Sequence, residues 1–261
     1  MTADPIWKGI ALDAETALAL LDWQREMGVD EAILDDPVDR YASLPPPKAA
    51  APAPQAAPAL DLDLNGRSDR LAAQAQTLEQ LADAMAGFDG LDIRKGARNS
   101  VFADGNPAAR VMIIGEAPGE EEDRAARPFV GRAGQMLDRM FAAIGLARDA
   151  VDAEHALYIT NVVNWRPPGN RSPTQGEIDA MIPFLRRHVE LAAPDIIVLM
   201  GNTPCQAALG RQGITRLRGT WVEAFGRPAL PMTHPAYLLR QPIAKREAWA
   251  DLLSLSARLN G

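Results

Sequence analysis

Four short, continuously apolar runs mark the second half of the chain. Val111-Met112-Ile113-Ile114 is closed by Gly115, and Ile196-Ile197-Val198-Leu199-Met200 by Gly201. A third run, Leu157 to Val163, has a polar end, and a weaker fourth, Leu230-Pro231-Met232-Thr233, follows the others. Helical spacing of apolar positions predicts helices near 68–87, 132–145, 176–192, 202–209 and 243–259. In the first of these, Leu71, Leu78, Leu81, Ala82 and Met85 share one face. Apolar strands that alternate with helices predict an α/β fold. The expected architecture is a central four-stranded, mainly parallel sheet with helices on both faces, an α/β/α sandwich. In such sheets ligands bind beyond the carboxyl ends of the strands, and that is where the unusual residues of this chain cluster.

The pattern changes upstream. Residues 1–42 predict an N-terminal helical extension carrying Leu12, Leu18, Leu20, Leu21 and Trp23. A helix this short is marginal alone, so the expectation is that it docks on the main domain or on a protein partner. Residues 43–62, SLPPPKAAAPAPQAAPALDL, hold too few large apolar side chains to pack and predict a disordered, semi-rigid linker. The expected domain is 63–261.

Composition narrows the classes. No run reaches the roughly 18 apolar residues of a membrane span, and the first residues lack a basic start before an apolar stretch. The expected setting is the cytoplasm, with no membrane partner. One cysteine, Cys205, excludes an internal disulfide framework and an all-cysteine metal site within one chain. The net charge of −7 is uneven: residues 1–60 hold 4 basic and 10 acidic side chains, whereas residues 211–261 hold 8 basic and 3 acidic. A basic C-terminal quarter suits a phosphate backbone, and it equally suits a plain solvated surface.

Candidate chemistry sits after each strand. Gly115-Glu116-Ala117-Pro118-Gly119 shapes a tight loop that places Glu116 at the strand end. The acids Glu120 to Asp123 suit the start of a helix. Phe129, between Pro128 and a Gly-x-x-Gly loop, fits a stacking platform or an ordinary core aromatic. Asn161 offers a donor and an acceptor to a nucleobase edge, or a cap to the backbone. Arg166 and Arg171 flank two prolines and suit phosphates. His234, before Pro235, fits a donor to a developing anion or a satisfied core imidazole. Tyr237, Leu238 and Leu239 form an apolar tip beside Arg240, of the kind that wedges into a duplex step.

Together and in this order, Gly-Glu-Ala-Pro-Gly, Pro-Phe-Val-Gly-Arg-Ala-Gly, Thr-Asn-Val-Val, Arg-Pro-Pro-Gly-Asn-Arg and His-Pro-Ala-Tyr-Leu-Leu-Arg resemble the uracil-DNA glycosylase superfamily, and its family-4 type in particular. The resemblance covers roughly 75–261. It implies base excision repair: hydrolysis of the bond between uracil and deoxyribose in single- or double-stranded DNA, on a base flipped out of the stack, leaving an abasic site. Glu116 then matches the acid that positions water and stabilises the sugar cation. Phe129 matches the residue stacked on uracil, with Gly115 and Ala117 lining the pocket. Asn161 matches the reader of the O4 and N3 edge, and His234 the donor to O2. Tyr237, Leu238, Leu239 and Arg240 match the loop that enters DNA, with Arg166, Arg171, Arg216 and Arg218 as phosphate contacts.

The chain departs from this pattern in its metal. Typical family-4 proteins hold a [4Fe–4S] cluster on four cysteines. Trp165, Met181 and the segment Gly90 to Lys95 stand where those cysteines are expected, so no metal and no cofactor are predicted, and apolar packing around Trp165 and Met181 is expected instead. The loop 164–175 has no histidine, which predicts turnover in place of a trapped covalent adduct. Two alternatives stay open: excision of hypoxanthine, xanthine or a damaged pyrimidine, and a non-catalytic DNA-binding role for the same fold.

Overall fold

The computed structural model describes residues 63–261 and, nearer the N-terminus, residues 6, 7, 10, 11, 13, 16 and 18. The chain forms two compact units, Met1–Gln55 and Ala56–Gly261. In the first, β1 (Ile6–Trp7) pairs antiparallel with β2 (Ile10–Ala11). Most of the predicted N-terminal helix and all of the predicted linker lie outside the described residues, although Thr16 and Leu18 are helical.

The second unit opens with α1 (Asp63–Gln74) and α2 (Leu78–Gly87). The spacing predicted one helix over 68–87. Thr77 divides it, because its hydroxyl accepts the Gln80 N–H at 3.2 Å and so caps α2. Then follow β3 (Ala103–Gly105), β4 (Val111–Gly115), α3 (Glu120–Ala125), α4 (Arg132–Ala142), β5 (Leu157–Asn161) and α5 (Gln175–Ala192). The chain closes with β6 (Ile196–Met200), α6 (Asn202–Leu209), α7 (Ile214–Leu217), β7 (Val222–Ala224), β8 (Arg227–Met232), α8 (Pro235–Arg240) and α9 (Lys245–Asn260).

The sheet has six strands, ordered β3-β5-β4-β6-β8-β7. Its four inner strands are parallel and are the four apolar runs of the sequence. The expected count of four is corrected by β3 and β7, which add antiparallel edges. These edges, Ala-Asp-Gly and Val-Glu-Ala, are three residues long and partly polar, so they carry no apolar signal.

Period-two alternation assigns the strand residues to two cores. Met112, Ile114, Tyr158, Ile197 and Leu199 pack with α2 and α5. Val111, Ile113, Leu157, Ile159, Val198 and Met232 pack on the opposite face with α4, α8 and α9. No helix among the described residues is long and apolar enough to cross a membrane.

The first core holds a buried titratable group. His188 shares a 2.8 Å hydrogen bond with the Tyr158 hydroxyl and stacks on Phe102 at 4.3 Å. Burial lowers its pKa to about 3. The unfolded imidazole takes up a proton below about pH 6.5, whereas the folded one stays neutral down to about pH 3. Stability conferred by folding is therefore lost as pH falls through that window, by about 1.4 kcal/mol per pH unit. His188→Gln removes this contribution. Urea midpoints at about pH 7 and about pH 5 should differ less for the variant than for the parent.

Candidate active site

The strand order creates the site. From β4 the chain runs first to β5 on one side, then crosses back to β6 on the other, so the carboxyl end of β4 faces a crevice where the winding reverses. The parallel registers align Gly115 with Asn161, and Met200 with Met232. The residues just past these ends surround a cavity of about 820 Å³. Glu116, Ala117, Phe129, Asn161, His234 and Arg240 all line it.

Glu116 leaves the end of β4 half-buried, and its Oε2 accepts the Thr203 hydroxyl at 2.7 Å. Thr203 follows β6 on the first turn of α6, so two adjacent strand ends fix one carboxylate. Asn161 ends β5, is buried, and points to the same sheet face as Ile159 and Phe129. Gly115 lies against both its amide oxygen and the Phe129 ring; a Cβ there would sit 2.5 Å from the ring. A glycine is required at that register position because the Asn161 amide and the Phe129 ring both pack onto its backbone.

Phe129 adopts a left-handed backbone, φ 53°, which is costly for an aromatic residue. The surrounding loop enforces it. Glu122 Oε1 accepts the N–H groups of Val130 and Gly131 at 3.0 and 2.9 Å, and its other oxygen accepts that of Gly119 at 3.1 Å. The ring centroid lies 5.5 Å from that of His234, with 29° between the planes.

His234 precedes α8, and its Nδ1 accepts the Ala236 N–H at 3.1 Å. The neutral ring therefore carries its proton on Nε2. Burial lowers the pKa of His234; Glu116 pulls it up, and Arg240 adds to the lowering. The net effect is a neutral imidazole at pH 7, with an N–H available to a ligand. Gly201, φ 102°, closes β6 beside this ring, where a Cβ would lie 3.4 Å from that of His234.

The remaining predicted residues divide. Tyr237 and Arg171 line the cavity, Arg171 while holding Glu177 through two hydrogen bonds of 2.8 and 2.7 Å. Arg166 lies beside it, bonded to Asn170 at 2.8 Å and to Glu120 at 3.3 Å. Arg216 is exposed on α7. Arg218 instead turns inward onto buried Asp251 and the Glu247 carbonyl. Leu238 is fully buried in the second core and Leu239 is partly buried, which leaves Tyr237 and Arg240 as the exposed part of that tip. Thr203 and Glu122 were not predicted. The glycine closing β6 was the available signal for Thr203; for Glu122, the acidic run hid one clamp among three helix-starting acids.

Trp165 and Met181, and Leu91 and Ile93 within the segment Gly90 to Lys95, where the resemblance leads one to expect cluster cysteines, are all buried in the first core. None offers a thiolate, and each buried side chain of this size stabilises the core by roughly 1.5–3 kcal/mol. Cys205 is buried elsewhere in that core, on α6, with its thiol pushed up to about 12. These residues do not fit an iron–sulfur cluster. Purified protein should therefore carry no stoichiometric iron and no broad band near about 400 nm, measured by iron analysis and absorbance.

Sequence comparison agrees with the geometry. The profile of the uracil DNA glycosylase superfamily matches residues 102–253. A type-4 uracil-DNA glycosylase of Thermotoga maritima is 41% identical over 145 residues, covering 54% of this chain and 72% of that protein. One from Archaeoglobus fulgidus is 37% identical over 169 residues, covering 61% and 82%. A type-5 enzyme of Pyrobaculum aerophilum is 32% identical over 146 residues, covering 51% and 64%. The chain belongs to the uracil-DNA glycosylase superfamily.

Proposed function

We propose that the chain is a monofunctional uracil-DNA glycosylase that acts on an extrahelical base and leaves an abasic site. The observation that carries this reading is the convergence of Glu116, Phe129, Asn161 and His234 on one cavity. A uracil flipped into it would lie against the Phe129 ring. The Asn161 amide can donate to O4 and accept from N3–H, whereas cytosine would present a donor to a donor. The His234 Nε2–H would bond O2, where charge develops as the glycosidic bond breaks. Glu116, oriented by Thr203, would hold the attacking water and stabilise the cationic sugar. Water adds to C1′ and the uracil anion departs, so no base–protein bond forms. No lysine lines the cavity among the described residues, which supports hydrolysis without strand cleavage.

Tyr237 and Arg240, with Arg166, Arg171 and Arg216, form the DNA-facing side of this reading. Leu238, Leu239 and Arg218 would support it from within. Residues 1–42 would bind a protein partner in the cytoplasm, and deleting 1–62 should leave excision unchanged. A panel of hypoxanthine and xanthine oligonucleotides would reveal excision of a larger deaminated base. Incubation with a uracil-containing oligonucleotide, then hot alkali, should cleave the strand at uracil. Unreacted single- and double-stranded substrate would refute the assignment.

A further inference from the structure

The cavity-lining aromatic is held by a residue that does not itself line the cavity. Arg148 lies in the connection between α4 and β5, and its side chain is only 11% exposed. Its Nη1 donates to the Pro128 carbonyl at 2.9 Å and its Nη2 to the Phe129 carbonyl at 2.8 Å. The same guanidinium is fixed from behind. Nη1 also donates to Asp104 of β3 at 2.9 Å, and Nε to Asp138 of α4 at 2.9 Å. Burial alone would raise the pKa of Asp104, but hydrogen bonds from Arg127 and Arg148 outweigh it and hold the carboxyl below its usual range. The Asp104 carboxylate behind Arg148 therefore remains ionised at neutral pH.

Two consecutive carbonyls can face one planar cation only if the chain turns sharply between them, and Phe129 makes that turn in its left-handed conformation. Gly134 presses its backbone against the Phe129 carbonyl from the other side, with no room for a Cβ. A guanidinium fork suits this job; a lysine ammonium could not match its planar geometry.

We propose that Arg148 is a positioning residue for base recognition: it holds Phe129 in its left-handed conformation, so that the ring stays parallel to the base beside Gly115 and His234. The inference rests on the glycosylase reading, with Phe129 as the surface that receives the base. Arg148 acts through Phe129 and touches neither base nor sugar.

The test is a double-mutant cycle in the full chain, with Arg148→Met, Arg148→Lys, Phe129→Ala and the combined variants, read as kcat and KM on a uracil oligonucleotide. Arg148→Met should lower kcat/KM by about tenfold or more, and Arg148→Lys by less. In the Phe129→Ala background, either change should cost under about twofold, because the ring it positions is gone. If Arg148→Met does not fold, the lysine variant serves the same cycle. An equal loss in both backgrounds, or no loss in the parent, would overturn the proposal.

A second readout does not depend on catalysis. In protein labelled with 4-fluorophenylalanine, the Phe129 resonance is identified by its disappearance in Phe129→Leu. It should shift or broaden in Arg148→Lys while resonances from the other core phenylalanines stay in place. An unmoved Phe129 resonance would contradict the positioning role even if excision failed. Absence of excision by the parent chain would instead refute the glycosylase assignment.

Discussion

Glu116→Gln should lower kcat on uracil-containing DNA by about 10²–10⁴-fold, the range set by removing one positioned acid–base group. The substitution keeps the shape and leaves an amide that can still accept the Thr203 hydroxyl. What disappears is the negative charge in the cavity, proposed to face the sugar, and the ability to attract a proton from water. Binding to DNA should change little, because Glu116 faces the cavity and no phosphate contact is assigned to it. Single-turnover excision and equilibrium binding of the same oligonucleotide separate the two effects. Equal losses in both would mean that Glu116 serves binding. Since Glu116 also raises the pKa of His234, the variant should carry a more strongly depressed imidazole pKa.

His234→Ala should cost about 10²–10³-fold in kcat, or roughly 2.7–4 kcal/mol, as expected for one donor aimed at a developing anion. The alanine also removes one face of the cavity beside Phe129, so KM should rise as well. The pH dependence follows from protonation. Burial lowers the pKa of His234, so the imidazole remains neutral below the pH at which a free histidine charges. The parent should keep its activity as pH falls through about 6.5 and lose any His234-dependent part only at lower pH. An acid limb centred at or above about pH 6.5 in the parent, and absent from the alanine variant, would contradict the neutral donor.

Much of this was legible in the sequence because the four inner strands are buried on both faces. Their runs are continuous and end at the loops that hold the chemistry. Glu116, Asn161 and His234 could be placed at strand ends before any geometry was known. The edges β3 and β7 could not, since a three-residue strand with one face near solvent has no pattern to read. The apolar tip was also only partly legible. Leu238 and Tyr237 are neighbours in sequence, but α8 turns one into the core and the other toward the cavity. Charge misleads similarly at Arg218, where the buried Asp251 that claims it lies 33 residues away. The grip on Phe129 was invisible for the same reason: Glu122 and Arg148 are recognisable only once the loop between them has a shape.

In the proposed mechanism one pocket receives the base with its ring against Phe129, its amide edge at Asn161 and its O2 at His234. A crystal structure of Glu116→Gln bound to a uracil-containing oligonucleotide tests it most directly. Density for a uracil outside the helix is expected within that pocket. A base still stacked in its strand, or seated on another surface of the protein, would contradict it.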